Sequence, residues 1–156
     1  MQVISTSTLE TNFHMVTLPD GRIGTEFRSK HTVLMTHTWL IHKRLLKEGK
    51  EGQRTQECMF DELWEDTNAR LRAIGISEIS INKHLGEVQA FSFKFCCELD
   101  EAVSKPTEAE IIDDLGGAIW RNVYIANEEM DENHVLEYAR CVLSLLFRYV
   151  VLSYLH

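Results

Sequence analysis

Seven histidines and four cysteines are the side chains of this 156-residue chain best suited to hold a metal or act as nucleophiles. Helical metal ligands must share a face, which requires donors three or four residues apart. His37 and His42 are five apart and do not share one. Asp131 and His134 supply half of a di-metal spacing, and no Glu-x-x-His pair completes it. Cys58, Cys96, Cys97 and Cys141 form no Cys-x-x-Cys pair. They read as reduced, buried thiols, although the vicinal Cys96–Cys97 pair also suits redox chemistry. Glu62, Glu65 and Asp66 fit a solvated acidic face. The chain has no Gly-rich phosphate loop, no G-x-S-x-G elbow and no H-E-x-x-H pair. No nucleophile, base and oxyanion donor come together, so the residues make no case for an enzyme, a metal or a cofactor.

Binding chemistry is better represented. Trp39, Trp64 and Trp120 read as core aromatics with one edge at the surface, and each could also anchor a partner helix. His37 reads first as a core-edge imidazole bonded to a neighbouring carbonyl or carboxylate, and also, without excluding that, as a ligand or partner contact. The net charge of -8 argues against general nucleic-acid binding. One corner reverses that sign: Lys43, Arg44, Lys47, Lys50 and Arg54, less Glu48 and Glu51, give a local +3. It is either a solvated helix end whose cations suit the C-terminal dipole or a contact for an anionic surface.

These residues need helices to position them. The length fits one domain, and no repeat or linker divides it. An N-terminal arm over residues 1–28 is expected, extended or hairpin-like, around a Pro19-Asp20-Gly21 turn. A helical domain over 29–156 follows, giving an all-α bundle of about five helices. Helix one is expected from Ser29 or Lys30 to Glu48, with Gly49 as its stop. Val33, His37, Leu40 and Arg44 lie on one side, and Met35, Trp39 and Leu46 on another. Helix two, Gln53 to Ala73, carries Phe60, Trp64, Thr67 and Leu71 and ends at Gly75. Asp66 and Arg70 on it can pair.

Helix three repeats Ile81, Leu85, Val88, Ser92, Phe95 and Leu99 in steps of four and three, with Phe91 and Phe93 widening the seam. Thr107 caps helix four through Glu110, and Gly116-Gly117 would allow close approach by a neighbour or a kink. Asp131 caps helix five, which runs to the C-terminus. Glu137, Arg140 and Arg148 interrupt its apolar character, so it reads as a core or docking helix and not as a membrane span. The stretch MQVISTSTLETNF reads as neither a secretory signal nor a transit peptide.

Three blocks in order resemble the ubiquinol–cytochrome c chaperone family, the assembly factor for cytochrome b of respiratory complex III. The first runs from His37-Thr38-Trp39 through Arg44-Leu45 to Glu48-Gly49-Lys50-Glu51-Gly52. The second joins Phe60, Asp66, Leu71-Arg72-Ala73-Ile74-Gly75-Ile76 and Ile81-Asn82-Lys83. The third is Ala118-Ile119-Trp120-Arg121-Asn122-Val123-Tyr124. They cover residues 27–125. Where the family usually has Phe-Tyr-Gly-Arg and then Ala-Tyr-Asp, this chain has Phe91-Ser92-Phe93 and Cys96 to Asp100.

The resemblance implies a non-enzymatic, all-α protein, peripheral to the matrix side of the mitochondrial inner membrane. It would hold newly made cytochrome b with a small helical partner and approach the mitochondrial ribosome. The partner-facing candidates are Lys43, Lys47, Lys50 and Arg54 in the basic corner, with Trp39, Trp120, Phe91 and Phe93 as aromatic contacts. The alternative is a permanent structural subunit of a respiratory complex or mitochondrial ribosome on the same fold.

Overall fold

The computed structural model describes residues 27–151. They form five α-helices: α1 (Phe27–Leu45), α2 (Gly49–Ala73), α3 (Ile81–Val103), α4 (Glu108–Asn122) and α5 (Glu132–Leu146). A π-helical turn, Phe147–Val151, extends α5. No strand occurs among the described residues, and the expected all-α bundle is what forms. The expected arm and its Pro19-Asp20-Gly21 turn lie outside the described residues, apart from Phe27 and Arg28, which open α1.

α1 sits at the centre and packs against all four other helices. Its buried side chains are unusually polar: Ser29, His31, Thr32, Thr36 and Thr38 lie beside Val33, Met35, Trp39 and Leu40. Burial of a hydroxyl is tolerated only when it finds a partner. Thr32, Thr36 and Thr38 solve this locally by donating to the carbonyls of Arg28, Thr32 and Leu34. The helix therefore needs no apolar stripe all round in order to be central.

The turn after α1 differs from expectation. α1 stops at Leu45, three residues early, and α2 starts at Gly49, four residues early. Glu48 N–H bonds the Leu45 carbonyl at 3.0 Å, and Lys47 N–H bonds that of Arg44 at 3.0 Å. Gly49 then takes φ +61° and opens α2 instead of merely ending α1. Gly52 lies over the end of α1, where a Cβ would collide with the Leu45 carbonyl oxygen. The turn leaves Leu46 exposed, outside the apolar side it was expected to share with Trp39.

Other boundaries follow their chemistry. Gly75 takes φ +94° and closes α2, with Ile76 N–H returning to the Leu71 carbonyl at 3.1 Å. The Thr107 hydroxyl accepts from Glu110 N–H at 3.3 Å, and Asp131 accepts from Asn133 N–H at 3.0 Å. Gly116 meets α5 closely: a Cβ would lie 3.1 Å from Leu136 Cδ2. The α4–α5 turn holds Ile125 and Ala126 at φ 52° and 51°, a left-handed pair that costs roughly 1–2 kcal/mol per residue. Trp120 offsets this strain by accepting Ala126 N–H at its carbonyl (2.9 Å) and donating its indole N–H to the Asn127 carbonyl (3.0 Å).

The main core joins α1, α3, α4 and α5 around Trp39, Phe95, Leu99, Leu115, Ile119 and Val142. A smaller one joins α2 and α3 through Leu71, Ile81 and Val88, with Phe27, Trp64 and Phe91 packed on it. The α3 seam is buried as its periodicity requires, except that Leu85 is only half-buried. Phe93 departs from it. It is 73% exposed, because it stands about 100° round the helix from Ser92.

Candidate functional site

The positions of α1 and α3 are set by two polar ties, each linking residues 61 apart in sequence. The first centres on His31, fully buried between Phe27, Phe91 and Trp64. An Arg70 guanidinium nitrogen lies 3.2 Å from its Nδ1, so Nδ1 accepts and Nε2 carries the proton. Nε2 then donates to Ser92 Oγ at 2.9 Å, and Ser92 donates onward to the Val88 carbonyl at 2.6 Å. Arg70 also binds Asp66 at 2.8 Å, the expected pair, and donates to Thr67 Oγ at 3.1 Å. Burial, reinforced by the Arg70 charge and only partly opposed by Asp66, pulls the His31 pKa down to about 4. The imidazole is neutral and sealed at physiological pH.

The second tie is Trp39 to Asp100. The indole N–H donates to Asp100 Oδ1 at 2.8 Å, and Lys43 pairs with the same oxygen while lying 5.7 Å from the Trp39 ring centre. Trp39 is 1% exposed, so a partner would meet Lys43 and Asp100 above it and not the indole. Asp100→Ala would strand a buried donor and is expected to cost about 2 kcal/mol in urea unfolding. Asp100→Asn keeps an acceptor and loses only a partly exposed ion pair, so its expected cost is under about 1 kcal/mol.

The basic corner is partly spent in the same way. Arg44 pairs with Glu48 across one turn, and Lys43 is held by Asp100. Lys47, Lys50 and Arg54 are exposed. His37 Nδ1 donates to the Val33 carbonyl at 2.9 Å, matching its expected place at the core edge. Phe91 is half-buried under the Arg28 guanidinium, 5.3 Å away, and against His31, whereas Phe93 projects into solvent.

Trp120 belongs to a different surface. It lines a cleft of about 540 Å³ between α3, α4 and α5. The acids Glu98, Glu101, Asp113, Asp114 and Glu132 surround an apolar floor of Ala102, Trp120, Met130, Val135 and Leu136. Among the described residues Arg121 is the lining cation, and it is bound to Glu98 at 3.1 Å. Asn122 Nδ2 donates to the same Glu98 oxygen at 3.0 Å. Lys105 pairs with Asp114 at 3.1 Å beside the cleft. Gly117 adds no side chain to the wall, and the Arg121 guanidinium lies 3.2 Å from where a Cβ would stand.

Nucleophilic chemistry finds little support. The Cys96 thiol is pushed up to about 12, first by burial and then by Asp100 and Cys97, so it stays protonated. Cys58 and Cys97 are exposed, against the expectation of buried thiols, because both fall on outward helical faces. Among the described residues no three His, Cys, Asp or Glu side chains converge as metal ligands.

The sequence profile of the Ubiquinol-cytochrome C chaperone family matches residues 20–150. The chain belongs to this family. Relatives in Xenopus laevis, Mus musculus and Drosophila melanogaster bear the name ubiquinol-cytochrome c reductase complex assembly factor 1. The Xenopus protein is 25% identical over 127 residues, which is 80% of this chain and 56% of that protein. The mouse protein is 22% identical over 111 residues, 71% of this chain and 35% of its own length. The Drosophila protein is 25% identical over 115 residues, with coverages of 69% and 42%. The chain thus spans about half the length, or less, of these relatives. No solved structure matches it.

In this member of the chaperone family the motif blocks have structural tasks. Trp39 ties α1 to α3, Gly49 and Gly52 make the α1–α2 turn, and Trp120 and Asn122 organise the α4–α5 end. Of the residues that complete these arrangements, Ser92 is expected as part of the α3 seam, whereas His31, Glu98 and Asp100 carry no individual expectation. His31 had a signal, since His31, Met35 and Trp39 follow at steps of four. Glu98 and Asp100 had none, because their partners lie on other helices.

Proposed function

We propose that this chain is a non-enzymatic assembly chaperone for ubiquinol–cytochrome c reductase. It holds newly made cytochrome b, together with a small helical partner, at the matrix side of the mitochondrial inner membrane. The observation that carries this reading is family membership across residues 20–150, with relatives named as assembly factors of that complex. The side-chain chemistry is compatible with it: the buried histidine is neutral and enclosed, and the half-buried Cys96 is protonated. No helix among the described residues is long and apolar enough to cross a membrane. The exposed Lys47, Lys50 and Arg54 offer cations to anionic lipid or ribosomal RNA.

The test is purification of the tagged chain, at native level, from respiring cells. Cytochrome b and a small helical protein should co-purify, in amounts well below the mature complex. Recovery of the chain alone would sink the proposal, and equimolar recovery with the mature complex would make it a permanent subunit. Reversing Lys47, Lys50 and Arg54 to Glu should weaken membrane or ribosome association in a salt-sensitive way without unfolding the bundle. Unchanged association would leave that corner as ordinary solvated surface.

A further inference from the structure

We propose that the cleft between α3, α4 and α5 is the docking site for a lysine- or arginine-rich amphipathic helix of a partner protein. The proposal rests on the assembly-chaperone reading for the expectation of a protein partner. The partner's chemistry comes from the cleft.

Charge comes first. Among the described residues five carboxylates line the cleft against Arg121, already bound to Glu98, and Lys105 beside it, which pairs with Asp114 and lies 4.0 Å from Glu101, so the balance stays negative. Glu101, Asp113 and Glu132 are solvent-exposed at the rim. An approaching cation would therefore meet a net negative opening on a protein that is itself acidic, and such complementarity raises encounter rates and fixes orientation.

Shape comes second. The floor is apolar, with Trp120 and Met130 half-buried and able to receive a side chain. A highly charged ligand without apolar groups would leave that floor uncovered. Its volume, about 540 Å³, suits a few inserted side chains.

The third observation sets the partner's secondary structure. On α3, Phe93, Cys97 and Glu101 are exposed at successive steps of four, along a track that winds about 40° round the helix at each step. Glu101 is at the lip of the cleft, so Phe93 stands about 12 Å away along α3. Phe93 is the most exposed aromatic side chain among the described residues. The eight residues from Phe93 to Glu101 rise about 12 Å, the length of about two turns of a partner helix laid along α3 towards the cleft. The cations of that helix would meet the rim.

Fluorescence anisotropy on the full chain tests this, using a labelled leucine/lysine amphipathic helix of roughly 18 residues. Micromolar binding is expected. Glu101→Gln, Asp113→Asn and Glu132→Gln combined should weaken it about tenfold or more, and Phe93→Ala about fivefold. Both sets lie at the surface, and circular dichroism checks that they fold. Removing three acids from the outer face of α2, by Asp61→Asn, Glu62→Gln and Glu65→Gln, should change affinity by less than about twofold. Equal losses from both acid sets would overturn the proposal in favour of diffuse attraction. Equal binding of a serine/lysine peptide would overturn it too, since no apolar seat would then be in use. Co-purification of cytochrome b is a separate measurement, so failure here and failure of the assembly reading can be told apart.

Discussion

Gly52→Ala is expected to destabilise the bundle by about 3 kcal/mol, although helix propensity alone predicts a gain of about 1 kcal/mol. The sign reverses because the added Cβ meets the Leu45 carbonyl oxygen, which is backbone and cannot swing aside. That carbonyl also accepts Glu48 N–H, so moving it breaks the turn that joins α1 to α2. Gly86, in α3, is the matched control. It is also helical, nothing lies within 4 Å of its Cβ position, and Gly86→Ala should stabilise by about 0.5–1 kcal/mol. Urea titration of the two variants beside the parent chain decides it. A Gly52→Ala midpoint equal to or above the parent's would show that α2 does not lie over α1 as described.

Acidification should also weaken the fold, and most of the effect should trace to His31. Its pKa is 6.5 in the unfolded chain and about 4 when buried. Between these values the unfolded state binds the proton and the folded state does not. Stability is therefore complete above about pH 6.5, falls as pH drops towards 4, and is flat below that for this group. A shift of this size corresponds to about 3 kcal/mol. The geometry supports the direction: a proton on Nδ1 would face an Arg70 N–H that now donates to that nitrogen. His31→Gln retains an N–H for Ser92 and does not titrate. Its stability should be lower at neutral pH and much flatter between pH 6.5 and 4.5. A His31→Gln curve as steep as the parent's would assign the acid sensitivity to carboxylates instead.

What could be read from the sequence was periodic or local. The α3 seam, the Thr107 and Asp131 caps and the Asp66–Arg70 pair depend on residues within a few positions of each other, or on a repeat of 3.6. The misplaced features needed information from another helix, except Phe93, whose exposure follows from the phase of α3 itself. Gly49 looked like an ordinary helix stop, and only the crossing of α2 over Leu45 shows why a second glycine follows it. Phe93 looked like part of a seam because an aromatic run hides the phase of the helix. α1 was recognised as amphipathic, but its hydroxyls satisfy their own backbone, so its buried arc includes threonines that a hydropathy pattern treats as surface. Trp120 was visible as a candidate contact. The acidic cleft around it was not, because Glu98, Asp113 and Glu132 come from three helices.

The two ties between α1 and α3 have a consequence for how the chain folds. His31–Ser92 and Trp39–Asp100 share one sequence offset, 61, so the two helices run parallel and in step. The ties are eight residues, or about 12 Å, apart, and sliding either helix by one turn of about 5.4 Å would misalign both together. This pair has a single register and cannot ratchet. It also cannot close until α2 has run back along it, which makes it the long-loop, entropically late contact of the bundle. The α4–α5 hairpin, by contrast, is joined by a short connection and can form locally. During synthesis the N-terminal half must therefore wait for α3 before Trp39 finds Asp100 and His31 finds Ser92, while the α2 partners of His31, Arg70 and Trp64, are already at hand.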